Sequence, residues 1–273
     1  MQIATWNVNS IRTRQEHVVA WLQQNPLDVL CLQETKVVDA DFPRSPFEQL
    51  NYHVYVSGQK SYNGVAILSR SPLTDVSTGF TPILGEAIEQ SPASEAIATS
   101  LSEIDTQKRL ITGVIAGIRI INLYVPNGAA VGSEKYEYKL RWLQVLREYL
   151  QSLLVGSANI CICGDFNIAL EDCDLHDPVN LTGNIMASEL ERQALREILA
   201  LGFSDAFRKF TSEAGHYSWW DYRGGAFRRN LGWRIDHHYL TADLYKQAKS
   251  CFIDITPRKL SKPSDHAPVV VEV

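Results

Sequence analysis

Short runs in which apolar residues alternate or follow one another dominate the chain. They predict strands over Gln2–Asn7, Asp28–Glu34, Tyr52–Val56, Gly64–Ser69, Arg109–Ala116, Ile118–Tyr124, Asn159–Gly164, Ile235–Thr241, Cys251–Thr256 and Ala267–Val273. Gly117 is a hairpin-like break between two of these runs, and Ser57-Gly58-Gln59 joins another pair. Helical spacing predicts fewer helices. Thr13–Gln24 opens with Thr13 and Glu16 in capping-box spacing and stops before Pro26. Glu134–Leu154 carries Leu143, Leu146, Leu150 and Leu153 on one stripe. Ser188–Leu201 pairs Ser188 with Glu191 as a second capping box and meets Gly202 as a stop. Strands with interspersed helices fit a parallel α/β sheet or a two-sheet sandwich, and the hairpin signals favour the sandwich with helices packed outside. The softest stretch, Ser91-Pro92-Ala93-Ser94, reads as a loop. With no long linker, repeat or low-complexity tract, residues 1–273 are expected to form one domain.

Composition narrows the class. The 273 residues are 45% hydrophobic and 21% charged, as in a globular chain rather than a disordered one. No apolar run approaches the ~18 residues of a membrane span, and the first residues do not resemble a signal peptide. Five cysteines, an odd number in a long chain, argue against a disulfide framework and for a reducing compartment. A cytoplasmic monomer without membrane contact is the expectation. The net charge of −5 argues against a protein that coats nucleic acid. The charge is uneven, however. Residues 71–107 hold six acids and no Lys or Arg, while residues 206–234 hold six Lys or Arg, two acids and eight aromatic side chains. That basic, aromatic segment reads equally as a polyanion surface or as the edge of a core.

Several predicted strands end in polar residues that a core would not want. Asn7 and Asn9 follow the first, Glu34 the second, and Tyr124 ends another just before Pro126 and Asn127. Asp165 and Asn167 follow the run Ile160-Cys161-Ile162-Cys163, Asp236 opens a late strand, and Asp265-His266 precede the last. Brought together, these groups need a cation or a bound anion to compensate them. They suit metal-assisted hydrolysis of a phosphate ester. Mg²⁺ takes carboxylate and amide oxygens and needs only one or two carboxylates, with Glu34 the best single ligand. An Asp beside His266 would orient the imidazole and favour its protonated form, and Asp236 and Asp265 are both candidates. Asp165 and Asn167 point the same way on an extended segment. One can take a proton from water while the other holds the water or a phosphate oxygen. With no nucleophilic serine or cysteine signature, direct attack by water is expected.

The same residues carry a resemblance. Trp6-Asn7-Val8-Asn9, Leu32-Gln33-Glu34-Thr35-Lys36, Tyr62-Asn63-Gly64-Val65-Ala66, Asn122-Leu123-Tyr124-Val125-Pro126-Asn127-Gly128, Gly164-Asp165-Phe166-Asn167, Trp219-Trp220-Asp221-Tyr222-Arg223, Trp233-Arg234-Ile235-Asp236 and Ser264-Asp265-His266-Ala267-Pro268 stand in the order expected of one family. The chain resembles the exonuclease III family of abasic-site endonucleases from residue 6 to residue 268. Gly-Asp-Phe-Asn and Ser-Asp-His mark only the wider superfamily of metal-dependent phosphodiesterases, whereas the Leu-Gln-Glu-Thr-Lys and Trp-Trp-Asp-Tyr-Arg blocks mark its DNA-repair branch. The resemblance implies an α/β fold, a four-layer sandwich of two packed mixed β-sheets flanked by helices, as in deoxyribonuclease I. It implies that Glu34 binds Mg²⁺ or Mn²⁺ with Asn7 and with Asn9 or Asp265. It implies that Asp165 activates water, that Asn167 positions the water or the phosphate, and that Asp236 supports His266. Tyr124, Asn127 and His266 contact the phosphate, and Trp219, Trp233 and Ile235 form the pocket for a base-free sugar. The implied activity is cleavage of double-stranded DNA 5′ to abasic sites, with cleaning of blocked 3′ ends and 3′-to-5′ exonuclease action. One departure is the loop Gly128-Ala129-Ala130-Val131-Gly132, which lacks the basic residue that some relatives insert into the DNA.

Other features read more plainly. Trp219 and Trp220 read either as core, where alternation buries one and exposes the other, or as part of a nucleic-acid surface, which Arg223, Arg228 and Arg229 nearby favour. Arg12, Arg14 and Lys36 lie beyond strand ends as rim contacts to phosphates. Cys161 and Cys163 read as inert core, His237 and His238 as structural, and the acidic run Glu171, Asp172, Asp174, His176, Asp177 as a solvated loop. Two rivals to DNA repair remain. One is the same chemistry on a small-molecule or lipid phosphoester, without the aromatic segment 217–233. The other is a non-catalytic DNA binder, which would have lost Glu34, Asp165 or His266.

Overall fold

A computed structural model describes residues 1–88 and 101–273. The loop expected at Ser91-Pro92-Ala93-Ser94 lies outside the described residues. Two six-stranded sheets face each other. In the first the order is β11 (Ser250–Ile253), β12 (Val269–Glu272), β1 (Gln2–Asn7), β2 (Val29–Gln33), β4 (Val65–Ser69), β3 (His53–Ser57). In the second it is β5 (Thr74–Thr78), β6 (Leu110–Ile115), β7 (Ile118–Tyr124), β8 (Ile160–Asp165), β10 (Asp236–Thr241), β9 (Phe203–Asp205). Both sheets are mixed. β1 and β2 are parallel across the helix Ile11–Gln24, and β7 and β8 are parallel across the helix Glu134–Leu154. A parallel pair needs such a crossover, whereas the antiparallel β6–β7 pair needs only two residues. Those two, Ala116 (φ 49°) and Gly117 (φ 77°), have the paired positive angles of a type I′ turn.

The helices close the outer faces and make four layers. Val18, Trp21 and Leu22 of the first helix pack on Ala4, Trp6, Leu30 and Leu32. Leu143, Leu146 and Leu150, with Leu195 and Ile198 of the helix Glu189–Leu199, pack on Ile121, Leu123, Ile160 and Ile162. Ile3, Val29, Ile67, Ile120, Cys161, Leu240 and Val271 fill the space between the sheets.

Strand alternation makes that inner layer graded. The inward positions run Ile3, Thr5, Asn7 on β1; Val29, Cys31, Gln33 on β2; Ile118, Ile120, Asn122, Tyr124 on β7; and Cys161, Cys163, Asp165 on β8. β10 is antiparallel to β8 and runs Leu240, His238, Asp236 toward the same end. One end of the layer is therefore apolar and the other polar. The midpoint is a layer of hydrogen-bonded amides, in which the buried Gln33 Oε1 alone has no partner. Gln33 Nε2 donates to Thr5 Oγ1 at 2.8 Å and to Asn122 Oδ1 at 2.6 Å, and Asn122 Nδ2 donates to the carbonyls of Leu32 and Ala66. Gly164 sits one residue before Asp165 with φ 147°, and a Cβ there would lie 2.0 Å from the Leu123 carbonyl oxygen. Only glycine lets β8 approach β7 so closely.

The first helix departs from expectation. It begins at Ile11, and Ser10 caps it at φ 92° without a side-chain bond. Thr13 Oγ1 bonds Ser10 Oγ rather than forming a capping box. The reason is tertiary: Ser10 N donates to the Glu34 carbonyl at 2.8 Å and Ile11 N to the Thr35 carbonyl at 3.2 Å, so the neighbouring loop supplies the caps. The Ser188–Glu191 capping box is present. β5 and β9 are edge strands that the pattern did not predict; β5 is mostly exposed and β9 has only three residues.

Candidate active site

The polar end of the inner layer collects one residue from nearly every central strand. Asn7 at the end of β1 donates through Nδ2 to Glu34 Oε1 at 2.9 Å and to Asp165 Oδ2 at 2.8 Å. His266 faces Asp165 Oδ2 across 3.7 Å with Nε2, and its Nδ1 meets Asp236 Oδ2 at 2.8 Å. Glu34, Asp165 and His266 offer ligand atoms that all lie within 4.8 Å of one another. Asn167 N donates to Asp165 Oδ1 at 2.9 Å, and Asn127 Nδ2 donates to Asn167 Oδ1 at 3.1 Å. The Tyr124 hydroxyl lies against Glu34. Asn9, Glu34, Lys36 and Asn167 all have positive φ, between 45° and 57°. Such backbone strain is held in place by surrounding structure and clusters at functional sites.

Burial and charge set the protonation states. Burial pushes the Glu34 carboxyl up, but the Lys36 ammonium and hydrogen bonds from Lys36 and Asn7 outweigh it and hold Glu34 below its ordinary value. Burial raises Asp165 to about 7, opposed by the His266 charge and reinforced by Asp236 and Glu34. Burial alone would lower His266, yet the Asp236 and Asp165 carboxylates raise it to about 10. At neutral pH the site therefore holds an imidazolium and an anionic Glu34 beside a carboxylate poised to exchange a proton. Burial, and then the Glu34 charge, push the Tyr124 hydroxyl well above its ordinary value, which keeps it a neutral donor. The hard oxygens of Glu34 and Asp165 are donors that a divalent cation such as Mg²⁺ or Mn²⁺ accepts, whereas Asn7 turns Nδ2 toward both and its Oδ1 accepts from Asn9 N at 3.0 Å.

The other expected residues stand around this centre. Asp265 accepts from Asn9 Nδ2 and from Trp219 Nε1, each at 3.0 Å, so both its oxygens are engaged. Of the two Asp candidates for orienting His266, Asp236 makes that contact. Ser218 Oγ fixes Asp236 by accepting from the backbone N–H groups of Ile235 and Asp236, both at 3.0 Å. Trp219 and Trp233 meet edge to face with centroids 6.4 Å apart. Trp220 is buried, Trp219 half-buried, and Trp233 and Ile235 are buried against Ala169, Leu175, Met186 and Ala187. Trp219 is therefore the accessible aromatic of this cluster. Arg12 pairs with exposed Asp41 at 2.9 Å, Arg223 pairs with Asp221, and Lys36 binds Glu34 Oε2 at 2.8 Å. A half-open cleft of about 400 Å³ runs beside the centre, lined by Arg109, Tyr124, Pro126, Asn127, Lys135 and Tyr138.

Two expectations need correction. Asp174 is no solvated loop residue: it is fully buried and accepts from Arg234 Nε at 2.7 Å and from Arg208. Arg234 also donates to Asp205 at 2.7 Å, and Lys209 donates to the carbonyls of Tyr245, Lys246 and Ala248. Arg208, Lys209 and Arg234, half of the cations in segment 206–234, are thus held by buried or backbone partners, and Arg223 pairs with Asp221 at the surface. Arg223, Arg228 and Arg229 remain exposed.

Lys139 was missed. It lies in the long helix with no exposed side-chain area, and its ammonium bonds Glu191 Oε1 at 2.5 Å, the Asn167 carbonyl at 2.7 Å and the Asn127 carbonyl at 3.2 Å. Glu191 in turn accepts from Met186 N, Ser188 N and Ser188 Oγ. One buried ion pair thus pins both Asn-bearing loops. The signal was present in the sequence: Lys139 interrupts the inward stripe Tyr136, Leu143, Leu146. Arg109 was also missed; its guanidinium lies 4.6 Å from the Tyr124 ring centre and donates to the Tyr124 carbonyl.

The chain is similar to known proteins over its full length. Residues 4–266 match the endonuclease/exonuclease/phosphatase family. The exodeoxyribonuclease of Bacillus subtilis is 31% identical over 274 residues, covering 98% of each chain. A 3′ phosphatase, NExo, from Neisseria, solved with a product DNA hairpin, superposes with a TM-score of 0.89 at 38% identity, over 100% of this chain and 98% of that one. An AP endonuclease from Archaeoglobus fulgidus superposes with a TM-score of 0.87 at 42% identity, again over 100% and 98%.

Proposed function

The chain belongs to the endonuclease/exonuclease/phosphatase family, and from that premise we propose that it is a DNA-repair phosphodiesterase. It hydrolyses the backbone 5′ to abasic sites, leaves a 3′-hydroxyl, clears blocked 3′ ends and trims duplex DNA 3′ to 5′. The observation that carries this reading is the line Asp236–His266–Asp165 beside Glu34, with half-buried Trp219 bridged to the His266 backbone. Asp165 takes the proton of the attacking water, and a positioned base of this kind contributes ~10²–10⁴ in rate. Asn167 orients that water. The His266 imidazolium, aligned by Asp236, donates to a non-bridging phosphate oxygen, and Tyr124 and Asn127 hold the same phosphate. Glu34 would hold Mg²⁺ or Mn²⁺, joined by Asn7 once its amide turns Oδ1 toward the ion, and the bound ion supplies Lewis-acid stabilisation of the charge developing on the phosphate. Asp265 acts one step back, by fixing Asn9 and Trp219. Trp219, with the rim of Trp233, encloses a flipped sugar that has lost its base and excludes one that retains it.

Both sheets supply site residues, which supports one catalytic domain over residues 1–273 acting as a monomer on duplex DNA. The cysteines are all unpaired thiols, which supports a reducing, cytoplasmic setting. A substrate panel tests the reading against a small-molecule or lipid phosphoesterase. Cleavage of a duplex with one abasic site should exceed cleavage of intact duplex, of an inositol phosphate and of a sphingomyelin dispersion by orders of magnitude. Preference for either small substrate would overturn it.

A further inference from the structure

Midway along the same inner layer, one pleat behind Asp165 and Asp236, lie three soft donors. Cys161 and Cys163 are two apart on β8 and so face the same way, and His238 on β10 stands opposite Cys163. All three are fully buried, and their ligand atoms lie within 4.8 Å of one another. His238 Nε2 is 2.9 Å from the Val269 carbonyl, which can only accept, so Nε2 carries the proton. Nδ1 is then a bare lone pair aimed at the thiols, 3.8 Å from Cys161 Sγ. That is how metal-bound histidines are held: one ring nitrogen on a carbonyl, the other toward the ion. Without an ion the lone pair has only the Cys161 thiol contact at 3.8 Å.

From this we infer a second cation site, formed by Cys161, Cys163 and His238 between the sheets, that takes Zn²⁺. The dimensions fit. A triangle with one edge of 3.8 Å and none above 4.8 Å has a centre within about 2.8 Å of every corner, against ~2.3 Å for Zn–S and ~2.0–2.1 Å for Zn–N bonds. Charge fits as well. Two thiols that each lose a proton form two thiolate bonds, and two thiolates neutralise one divalent ion, so no net charge is buried. Binding releases two protons per ion. Soft thiolates select Zn²⁺ over Mg²⁺, so this site and the oxygen-rich centre would sort their ions by chemistry. Its role would be a clip joining β8 to β10 directly behind the catalytic carboxylates.

The test needs no activity assay. Chelator-stripped protein is titrated with Co²⁺, and the thiolate-to-cobalt charge-transfer band is read. One equivalent should produce the band, Zn²⁺ should abolish it, and about two protons should be released per ion. Cys161→Val and His238→Phe, checked for native circular dichroism, should lose the band and at least tenfold in Zn²⁺ affinity while still cutting DNA. X-ray absorption at the zinc edge of the wild type, needing no variant, should show sulfur and nitrogen neighbours. No band at stoichiometric Co²⁺, a band that survives both substitutions, or a zinc shell of oxygen and nitrogen alone would overturn the inference.

Discussion

Replacing Lys139 by methionine should both destabilise the protein and slow it, for reasons that can be separated. Lys139 and Glu191 have no exposed side-chain area. Methionine fills similar volume but leaves the Glu191 carboxylate buried without its cation. Breaking a buried pair from one side costs ~3–5 kcal/mol. At ~2–4 °C per kcal/mol for a chain near this size, the melting temperature should fall by roughly 6–20 °C. Lys139→Met also frees the Asn127 and Asn167 carbonyls, and Asn167 in turn holds Asp165 at 2.9 Å. A displacement of ~1 Å at a reacting group costs up to ~10²-fold. The turnover number on an abasic duplex should therefore drop by about 10- to 100-fold, with KM changed by less than about threefold. Glu191→Gln and the double variant complete a cycle, read by urea unfolding and single-turnover cleavage. A coupling energy of about 2 kcal/mol or more is expected, because contacting residues do not act additively. Melting within about 2 °C of wild type, or additivity within ~0.5 kcal/mol, would refute the clip.

Three further outcomes follow from the geometry. Asp165→Asn should lose ~10²–10⁴ in turnover yet bind abasic duplex at least as tightly in a filter-binding assay; turnover within about threefold of wild type would assign the base elsewhere. Trp219→Ala should cut abasic sites about 10- to 100-fold more slowly, matching ~1–3 kcal/mol of aromatic contact, and should discriminate less against intact duplex. A large loss of thermal stability with normal cutting by the folded fraction would instead make Trp219 a core residue. Burial tends to raise Asp174, but Arg234 outweighs it and holds the carboxyl at about 2. A folded pKa below the unfolded one contributes stability that is present above about pH 4 and is lost as pH falls toward 2. Urea unfolding at stepped pH should show that loss in wild type, and Asp174→Asn should be less stable at pH 7 with a flatter profile below pH 4.

Much of the centre was legible because a strand's period of two sorts its residues before any tertiary information exists. Asn7, Tyr124, Asp165 and Asp236 are each the last inward position of a row that starts apolar, and Glu34 lies just past another. Their convergence needed only the strands to be adjacent. What stayed hidden depends on partners distant in sequence. Arg234 and Asp174 are 60 residues apart, and nothing local distinguishes them from a surface cation and a loop acid. The first helix took its caps from the Glu34 loop, so its own capping-box spacing misled. β5 and β9 lack a pattern because an edge strand with exposed positions needs none. Which of Trp219 and Trp220 turns inward was open until segment 218–220 was seen bonded to Trp233 on one side and to Asp265 and Ala267 on the other.

The most direct test is end mapping on a labelled duplex with one abasic site, after full chelation and again with Mg²⁺ or Mn²⁺ restored. The account predicts no cleavage in chelator. With metal it predicts a single cut 5′ to the site, whose 3′-hydroxyl a polymerase can extend, and a much higher metal requirement for Glu34→Gln. Full cleavage in excess chelator, or a cut on the 3′ side of the abasic sugar, would contradict it.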